Sequence, residues 1–335
     1  MKEDRILLTH GSGGEATREL IQHILLPAYG NPELALLTDG AVLPGQPVPT
    51  VFTTDSYVVQ PPCFPGGDIG SLAVMGTCND LAVMGAVPRW LSVSFILEES
   101  LPVSLLERVA RSIRRAADEA GVTVVTGDTK VVERGKADRL YLNTSGIGEL
   151  PVPQALHPRR IQPGDAILVS NDIGRHGIAV MASREGLNLD VDVVSDLALL
   201  SPLIQALLQA GIDLHCARDL TRGGLGGALL ELSGQCGLGL RVDEALVPVS
   251  EPVRSTCELL GFDPLFIANE GCCVLFLPPE QVNVALELLR EFSSARWASG
   301  IGEVAADFQG ARLRNAYGVE RHLSWHTVDQ LPRIC

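Results

Sequence analysis

One apolar segment occurs twice in this chain, because residues 72–76 and residues 81–85 both read LAVMG. A helix turns about 100° per residue, so a spacing of nine residues places the two copies on opposite sides of one helix. A helix that is apolar on all sides has to be covered all round. The repeat therefore predicts a buried helix over 69–85, with Asn79 and Asp80 inside it. An ionised carboxylate at such a position is costly unless it is paired or binds a metal ion.

Length and periodicity indicate a two-domain protein of the α/β (α+β) class. A chain of 335 residues, 46% of them hydrophobic, is long for a single core. Helical and strand-like periods alternate throughout, which favours sheets covered by helices. The proline-rich stretch 151–163 is the best linker candidate. We therefore place an N-terminal domain at 1–151, a C-terminal domain at 152–325 and a flexible tail at 326–335.

The individual elements follow from the same patterns. Helices are predicted near residues 15–26, 69–85, 102–120, 196–210, 222–236, 248–260 and 279–292. Strands are predicted near residues 50–54, 90–97, 122–126, 139–147, 165–170, 272–277 and 299–304.

Charge and cysteine usage exclude several classes of protein. The formal net charge of −14 argues against nucleic acid and against an anionic membrane surface as partners. No apolar run is long enough to span a bilayer, and the N-terminus lacks the apolar region of a signal peptide. The eight cysteines form no C-x-x-C pair and no zinc spacing. We expect a cytoplasmic protein with reduced thiols.

Aspartates in small or apolar surroundings are the first sign of chemistry. A carboxylate at a strand end beside glycine is suited to a hard cation that bridges phosphate groups. Lys130 would add a compact positive charge for a phosphate oxygen. Each aspartate taken alone is better explained as a cap or turn residue, and Asp68 fits an N-cap. Together they indicate a metal–phosphate site formed by Asp55, Asp68, Asp80 and Asp128.

Two glycine-rich loops support that site. The first contains Gly11, Ser12, Gly13 and Gly14 and precedes a predicted helix, where backbone N–H groups can face an anion. It matches neither the dinucleotide-binding nor the Walker A pattern. The second loop covers 218–224, contains Asp219 and two arginines, and also leads into a predicted helix.

Three further residues are candidates for chemistry. Glu270 lies between two apolar runs, and burial would raise its pKa towards that of a general base. His176 follows a predicted strand and is a base, a phosphate donor or simply a hydrogen-bonded turn histidine, the last being slightly favoured. Cys335 is the last residue. A thiol at a mobile chain end is either accidental or functional, and that residue alone leaves both readings open.

The motifs also occur in a recognisable order. They are HGSGG at 10–14, TTDS at 53–56, FPGGDIG at 64–70, NDL at 79–81, TGDTKVVERGK at 126–136, RD and TRGG within 218–224, NEG at 269–271 and PRIC at 332–335. In this order they resemble the hydrogenase maturation factors HypE, from about residue 7 to the last residue. The aspartate framework is shared with the superfamily of aminoimidazole ribonucleotide synthetase and selenophosphate synthetase.

This resemblance implies a two-domain PurM-like fold, in which the N-terminal sheets form a barrel across a homodimer and the C-terminal α/β domain packs alongside. It implies that ATP and Mg²⁺ bind between the domains. The nucleotide would contact the 11–14 loop together with Asp68 and Asn79. The metal or phosphate ligands would be Asp55, Asp80, Asp128 and Asp219. Lys130, Glu270 and Cys335 would carry the chemistry, with Cys335 as the substrate carrier. His176 joins them as a catalytic candidate from its position after a predicted strand, not from the resemblance.

The implied reaction is ATP-dependent dehydration of an S-carboxamide on Cys335 to a thiocyanate. A HypF-like carbamoyltransferase would load the thiol. A HypC–HypD-like iron scaffold would receive the cyanide as a ligand of a [NiFe]-hydrogenase centre. Two alternatives remain open from the residues: an ATP-dependent synthetase or kinase acting on a free small substrate, and a non-catalytic carrier of thiol or iron.

Overall fold

The computed structural model describes residues 14–20, 22, 41–43, 48–151, 154–184, 191–325, 331 and 333–335. The helices in these ranges are α1 (Glu15–Leu20), α2 (Ile69–Val83), α3 (Val103–Ala120), α4 (Arg175–Ala182), α5 (Ser201–Gln209), α6 (Gly224–Cys236), α7 (Glu251–Leu260) and α8 (Val282–Arg290). The strands up to residue 149 are β1 (Ala41–Leu43), β2 (Thr50–Tyr57), β3 (Cys63–Phe64), β4 (Gly67–Asp68), β5 (Val87–Glu98), β6 (Thr123–Val132) and β7 (Leu140–Glu149). The later strands are β8 (Ala166–Val169), β9 (Cys216–Asp219), β10 (Gly239–Asp243), β11 (Cys273–Leu277), β12 (Ser299–Ala305), β13 (Gly310–Arg314) and β14 (Glu320–His322).

The first sheet has the strand order β1-β2-β7-β5-β6. Its neighbouring strands are antiparallel except for β5 and β6, which run parallel and are joined through α3. Side chains alternate between the two faces of a strand. One face of β2 carries the buried Val51, Thr53 and Tyr57 towards α2, while Phe52 on the other face is exposed.

The repeat-bearing helix α2 is buried as predicted. Apart from Ser71 and Asp80, every residue of the helix is buried. The helix lies against the first sheet and α3 on one side and against α5 and β9 on the other. Its all-round apolar surface is therefore what joins the two halves of the molecule, and Asp80 faces the space between them.

The second sheet has the order β14-β13-β10-β12-β8-β11-β9 and is covered on both faces. In β11, Val274 and Phe276 pack towards α6, while Cys273, Leu275 and Leu277 pack towards α5 and α8. Such continuous burial accounts for the unbroken apolar run in this strand, because both of its faces contact helices.

The two sheets use separate parts of the chain, residues 41–149 and residues 166–322. The domain limits that we place at 151 and 152 stay a prediction. The predicted helix near 196–210 begins only at Ser201, because the segment before it makes loop contacts described below. Among the described residues, no helix has both the length and the apolar composition needed to cross a bilayer.

One face of the first sheet exposes apolar side chains. Phe52, Trp90 and Ile96 are each about two-fifths exposed. The edge strand β6 is exposed along nearly its whole length, including Val125 and Val131. Apolar exposure concentrated on one sheet face and one edge is typical of a protein interface.

Candidate active site around Cys335

A pocket of about 190 Å³ lies between the two halves of the molecule. The end of β2, the middle of α2, the end of β9, the loop before α6 and the loop before β11 each contribute to it. Its lining residues are Thr53, Thr54, Asp55, Tyr57, Gly76, Asp80, Asp219, Thr221, Arg222, Glu270 and Cys335.

The C-terminus lies inside this pocket. The N–H group of Val58 donates to a terminal oxygen of Cys335 at 3.2 Å, and the N–H group of Gln60 donates to the carbonyl of Arg333 at 3.3 Å. Between these two bonds, the side chain of Ile334 is only 4% exposed and packs into the core of the N-terminal half. The tail therefore runs beside residues 58–60 and delivers the thiol to the pocket.

Two arginines, one outside the tail and one within it, hold the tail by hydrogen bonds. The guanidinium of Arg184 donates to the carbonyl of Arg333 at 2.9 Å and to that of Gln60 at 3.0 Å, so it bridges the tail and the segment beside it. The guanidinium of Arg333 donates to Asp138 at 2.9 Å and to the carbonyl of Val58 at 3.3 Å. Apart from the Arg333–Asp138 ion pair, these contacts involve a main-chain carbonyl, which lets the docked position hold without a large apolar side chain at the end.

The thiol of Cys335 is neutral when it is docked. Burial raises its pKa to about 12; Arg222 lowers the pKa, and Glu270, Asp55 and Asp219 raise it. The guanidinium of Arg222 lies at the exposed pocket wall, and its own pKa is raised chiefly by Cys335. A protonated thiol is a poor nucleophile, so the docked cysteine is suited to presenting an attached group rather than to acquiring one.

Glu270 is the buried carboxyl of the pocket. Its pKa is raised well above the usual value, first by burial and then by Asp219, Asp196 and Asp55. Its Oε1 atom is buried without a hydrogen-bond partner within the described chain. A carboxyl with a raised pKa and an unused oxygen is suited to taking up a proton from a bound substrate.

The main chain holds Glu270 in place. The carboxylate of Asp196 accepts hydrogen bonds from the N–H groups of Glu270 at 3.2 Å and Gly271 at 3.0 Å. The amide of Asn79 donates to the carbonyls of Glu270 at 3.1 Å and Ala198 at 2.9 Å. Because these bonds fix only backbone atoms of the loop, the carboxyl side chain stays available to the pocket.

Three of the predicted metal ligands meet at the pocket, namely Asp55, Asp80 and Asp219. Asp55 accepts from the N–H group of Ser56 at 2.7 Å, and the hydroxyl of Thr53 donates to Asp80 at 2.9 Å. Among the described residues, no group of three such side chains is arranged to hold an ion unaided. Mg²⁺ commonly takes only one or two carboxylates and completes its shell with phosphate oxygens and water, so this donor set fits an ion that arrives with a nucleotide.

Asp128 and Lys130 lie elsewhere. They form an exposed ion pair of 2.8 Å on β6, which lowers the pKa of Asp128. Their partners across the sheet are Ser94 and Ile96, and β6 is three strands from β2, roughly 14 Å away. The position of a residue along its strand predicts which residues lie near it only when the strand order is known. Here β7 and β5 lie between β2 and β6. Within one chain this pair does not reach the pocket.

Three other predicted residues have structural partners instead. The carboxylate of Asp68 caps α2 by accepting from Gly70 and Ser71, and it also accepts from the hydroxyl of Ser112 at 2.6 Å. Asn79 links α2 to the C-terminal half, as described above. His176 is fully buried and lies outside the pocket lining. The predicted nucleotide contacts of Asp68 and Asn79 and the predicted catalytic role of His176 therefore stay predictions.

The glycine-rich loop is largely outside the described residues. Gly11, Ser12 and Gly13 fall there, and Gly14 is the residue just before the short helix α1. Its predicted contact with an anion stays a prediction.

Several pocket residues carried no prediction. Tyr57 could have been found, because a period of two places it on the same face of β2 as Thr53 and Asp55. Arg222 lies in the 218–224 loop, whose arginines we had noted without a role. Asp196, which holds the Glu270 loop from outside the pocket lining, also carries no prediction, since it lies in an irregular segment before α5.

Gly271 gives a test of the loop that holds Glu270. A methyl group on its Cα would overlap the carbonyl oxygen of Asp196, and backbone on both sides leaves little room to move. We expect Gly271→Ala to lower the free energy of unfolding by roughly 1–3 kcal/mol, measured by denaturant titration. Gly234→Ala is the matched control, because this exposed glycine inside α6 has space, and alanine should stabilise the helix by roughly 0.5–1 kcal/mol. Equal stability of both variants would contradict the tight loop.

Comparison with protein families agrees with the two halves seen in the fold. The model of the AIR synthase related protein, N-terminal domain, matches residues 37–150. The model of the AIR synthase related protein, C-terminal domain, matches residues 162–313.

Individual proteins match over the whole chain. Carbamoyl dehydratase HypE of Azotobacter vinelandii is 44% identical over 336 residues, which cover 100% of this chain and 98% of that protein. The crystal structure of a HypE–HypF complex superposes with a TM-score of 0.87 at 41% identity, covering 92% of this chain and 99% of the matched one. The crystal structure of hydrogenase maturation protein HypE in complex with ATP gives a TM-score of 0.83 at 46% identity and covers 99% and 100%.

Proposed function

This chain belongs to the HypE carbamoyl dehydratases of the AIR synthase related family, and we propose that the group it dehydrates is carried on its own Cys335. Its activity is an ATP-dependent dehydration in hydrogenase maturation. The observation that carries the proposal is the docked C-terminus, whose thiol lies in a pocket lined by four carboxyl groups and Arg222.

The proposed chemistry starts from a carboxamide attached to the Cys335 sulfur. The amide oxygen attacks the γ-phosphate of ATP, ADP leaves, and one nitrogen proton is lost to give an O-phosphorylated imidate. Loss of the second nitrogen proton expels phosphate and forms the carbon–nitrogen triple bond of a thiocyanate. Phosphorylation thus turns a poor leaving group into a good one.

Glu270 and Arg222 are suited to different steps of the proposed reaction. Glu270, with its raised pKa and unpartnered oxygen, is the candidate that removes a nitrogen proton. Arg222 provides positive charge beside the thiol position, where it would offset charge on the phosphorylated imidate.

A magnesium ion is proposed as the partner of the nucleotide. Asp55, Asp80 and Asp219 would hold it, since these carboxylates line the pocket and hard cations prefer oxygen ligands. When bound, the ion would neutralise charge on the phosphate groups, which the surrounding carboxylates would otherwise repel.

The tail has to leave the pocket to be loaded. The docked thiol is protonated and half-buried, so a carbamoyltransferase would have little access to a reactive sulfur. A HypF-type partner is consistent with the HypE–HypF complex formed by a related protein. We propose that a HypC–HypD-like iron scaffold then takes the cyanide from the undocked tail.

We further propose a homodimer joined through the exposed face and edge of the first sheet. This surface carries Phe52, Trp90 and Ile96 together with β6. Because Asp128 and Lys130 lie on β6 and cannot reach the pocket of their own chain, any role they have in the reaction would be in the pocket of the second copy.

A mixing experiment tests this arrangement. We expect Lys130→Ala and Cys335→Ala homodimers each to be inactive, and heterodimers formed by unfolding and refolding the mixture to recover up to half of the wild-type sites. In such a heterodimer one chain supplies the thiol and the other supplies the lysine. No recovery, with heterodimers demonstrated by native mass spectrometry, would place Lys130 in the pocket of its own chain, and an active Lys130→Ala homodimer would place it outside the reaction.

The function itself is tested by intact-protein mass spectrometry with mapping of the C-terminal peptide. The chain is incubated with its carbamoyltransferase, carbamoyl phosphate and Mg-ATP. We expect a carbamoyl adduct on Cys335 that loses one water when ATP is present. ATP turnover without an adduct would favour the synthetase or kinase acting on a free substrate, and absence of both would favour a non-catalytic carrier.

A further inference from the structure

We propose that His176 and Ser195 form a positioning pair that keeps the tail docked, by holding the carbonyl group of Ile334 next to Cys335. The role of this pair rests on the proposed function only in that the tail carries the substrate. His176 is the donor: its Nε2 atom lies 3.0 Å from the carbonyl oxygen of Ile334, and its Nδ1 atom lies 2.9 Å from the hydroxyl of Ser195.

The imidazole ring is fixed on all sides. His176 is the second residue of α4 and is fully buried. The ring of Phe64 meets it edge-on, with centroids 5.2 Å apart. The helix start is itself held, because Gly174 has a left-handed conformation and its N–H group donates to the side chain of Asn269 at 2.6 Å. The ring therefore cannot turn away from the tail without disturbing the core.

The hydrogen bonds determine which ring nitrogen carries the proton. The carbonyl oxygen of Ile334 can only accept, so Nε2 of His176 carries the hydrogen that is donated to it. In a neutral ring Nδ1 then has no hydrogen and accepts from the O–H group of Ser195, whose oxygen also accepts from the N–H group of Leu197 at 3.1 Å. Burial lowers the pKa of His176 to about 4, so the ring is neutral at physiological pH. Ser195 thus selects the tautomer that the tail requires.

This bond lies at the centre of the tail contacts. The main-chain carbonyls of Arg333 and Cys335 meet donors from residues 58–60 and Arg184, while within the described chain His176 meets the carbonyl between them. The adjoining side chain is buried, so this carbonyl without its donor would lack a partner in the docked state. In the undocked state water would supply one. Loss of the donor therefore shifts the equilibrium towards the undocked tail by about ten- to a hundredfold.

The same short segment also holds the proposed base. Ser195 orients His176, and the adjacent Asp196 accepts from the N–H groups of Glu270 and Gly271. The donor to the tail carbonyl and the Glu270 loop are thus held by two adjacent residues, Ser195 and Asp196. Their shared support sets the position of the Cys335 sulfur relative to the Glu270 carboxyl, which is the geometry that proton removal requires.

The test measures how fast iodoacetamide alkylates Cys335 in the absence of nucleotide. The variants are His176→Phe, which fills the space without a donor, His176→Gln, which keeps an N–H donor, and Ser195→Ala, which removes the tautomer selection. Alkylation is read on the C-terminal peptide by mass spectrometry. We expect rates for His176→Phe about ten- to a hundredfold above wild type, near-wild-type rates for His176→Gln and intermediate rates for Ser195→Ala.

The buried thiols of Cys78 and Cys273 report whether each variant is folded, because they react only on unfolding. If His176→Phe exposes these two thiols, the variant is unfolded. The proposal is then tested by comparing the Cys335 alkylation rate of Ser195→Ala with that of wild type. Equal Cys335 rates in wild type and every folded variant, or a His176→Gln variant as fast as His176→Phe, would overturn the proposal. Alkylation does not require dehydration, so this result is independent of whether the proposed reaction occurs.

A kinetic measurement separates positioning from general damage. We expect His176→Phe to slow dehydration of a carbamoylated tail with the KM for ATP unchanged, and His176→Gln to restore the rate. A higher KM for ATP with an unchanged dehydration rate would contradict a role through the tail.

Discussion

Replacing Cys335 with alanine is expected to abolish carbamoylation and dehydration while leaving ATP binding intact. The change removes the only atom to which the proposed substrate is attached, and the main-chain hydrogen bond to Val58 does not depend on the side chain. Carbamoylation and water loss are followed by mass spectrometry, and ATP binding by calorimetry. The expected loss is complete, because a tethered substrate has no route through another residue.

Two comparisons make this experiment specific. Cys236→Ala removes a half-buried thiol at the end of α6, away from the pocket, and should retain full activity. A single alanine added after Cys335 keeps the thiol and the carbonyl oxygen that accepts from the N–H group of Val58, but it replaces the terminal carboxylate by a peptide bond and adds chain length at the pocket, so dehydration should fall while loading by the transferase persists. Wild-type dehydration by Cys335→Ala would remove the basis of the proposed function.

Replacing Glu270 with glutamine is expected to slow dehydration by about a hundredfold to ten-thousandfold, the range found when a general base is lost. Glutamine has nearly the same shape. The backbone N–H of residue 270 donates to Asp196 and its carbonyl accepts from Asn79, so the loop should keep its position when only the side chain changes. The measurement is a single turnover of the carbamoylated tail. Glu258→Gln on the surface of α7 is the matched control and should change nothing.

The pH dependence follows from the raised pKa of Glu270. A base must be deprotonated, so the dehydration rate should rise with pH through that pKa, above the range of a surface glutamate. Stability moves in the opposite direction, because the folded state holds the proton to higher pH than the unfolded state with its ordinary pKa of about 4.5. Between these two values the folded protein loses stability as pH rises. Glu270→Gln should therefore be at least as stable as wild type at neutral pH, and a lower melting temperature would contradict this assignment.

The sequence predicts parts of the fold that local patterns determine. The nine-residue repeat correctly predicts the burial of α2, because a helix without a polar face has only one environment open to it. Strands β2, β5, β7 and β11 also follow from their apolar patterns. Helix α4 does not, since its apolar stretch covers only residues 178–182 and follows the polar residues Arg175 and His176. Strands β9 and β13 do not follow either, because both contain arginine and neither has the continuous apolar run that marks β11.

The pocket is predicted in part, because some of its residues have a distinctive local sequence pattern. Asp55, Asp80, Asp219 and Glu270 each stand at the end of an element or within a buried helix, and these positions meet at the pocket. Asp128 carries an equally good local pattern but lies on the edge strand, because the order β1-β2-β7-β5-β6 does not follow the chain. The tail is held in the pocket largely by main-chain hydrogen bonds. Any residue type can form such bonds, so the amino-acid sequence does not predict them.

The docked tail also determines the kinetic order of the reaction. Site and substrate carrier belong to one polypeptide, so each molecule turns over the group that it was given, and the first-order rate constant does not change with protein concentration. The carboxamide has no Michaelis constant of its own, since its local concentration is set by the length of the tether rather than by supply. The supply of carbamoyl groups instead determines what fraction of the molecules carries a carboxamide. In the proposed cycle, the fraction of loaded tails that is ready for dehydration depends on an internal equilibrium between docked and undocked positions, which the hydrogen bonds of residues 333–335 shift towards the docked one.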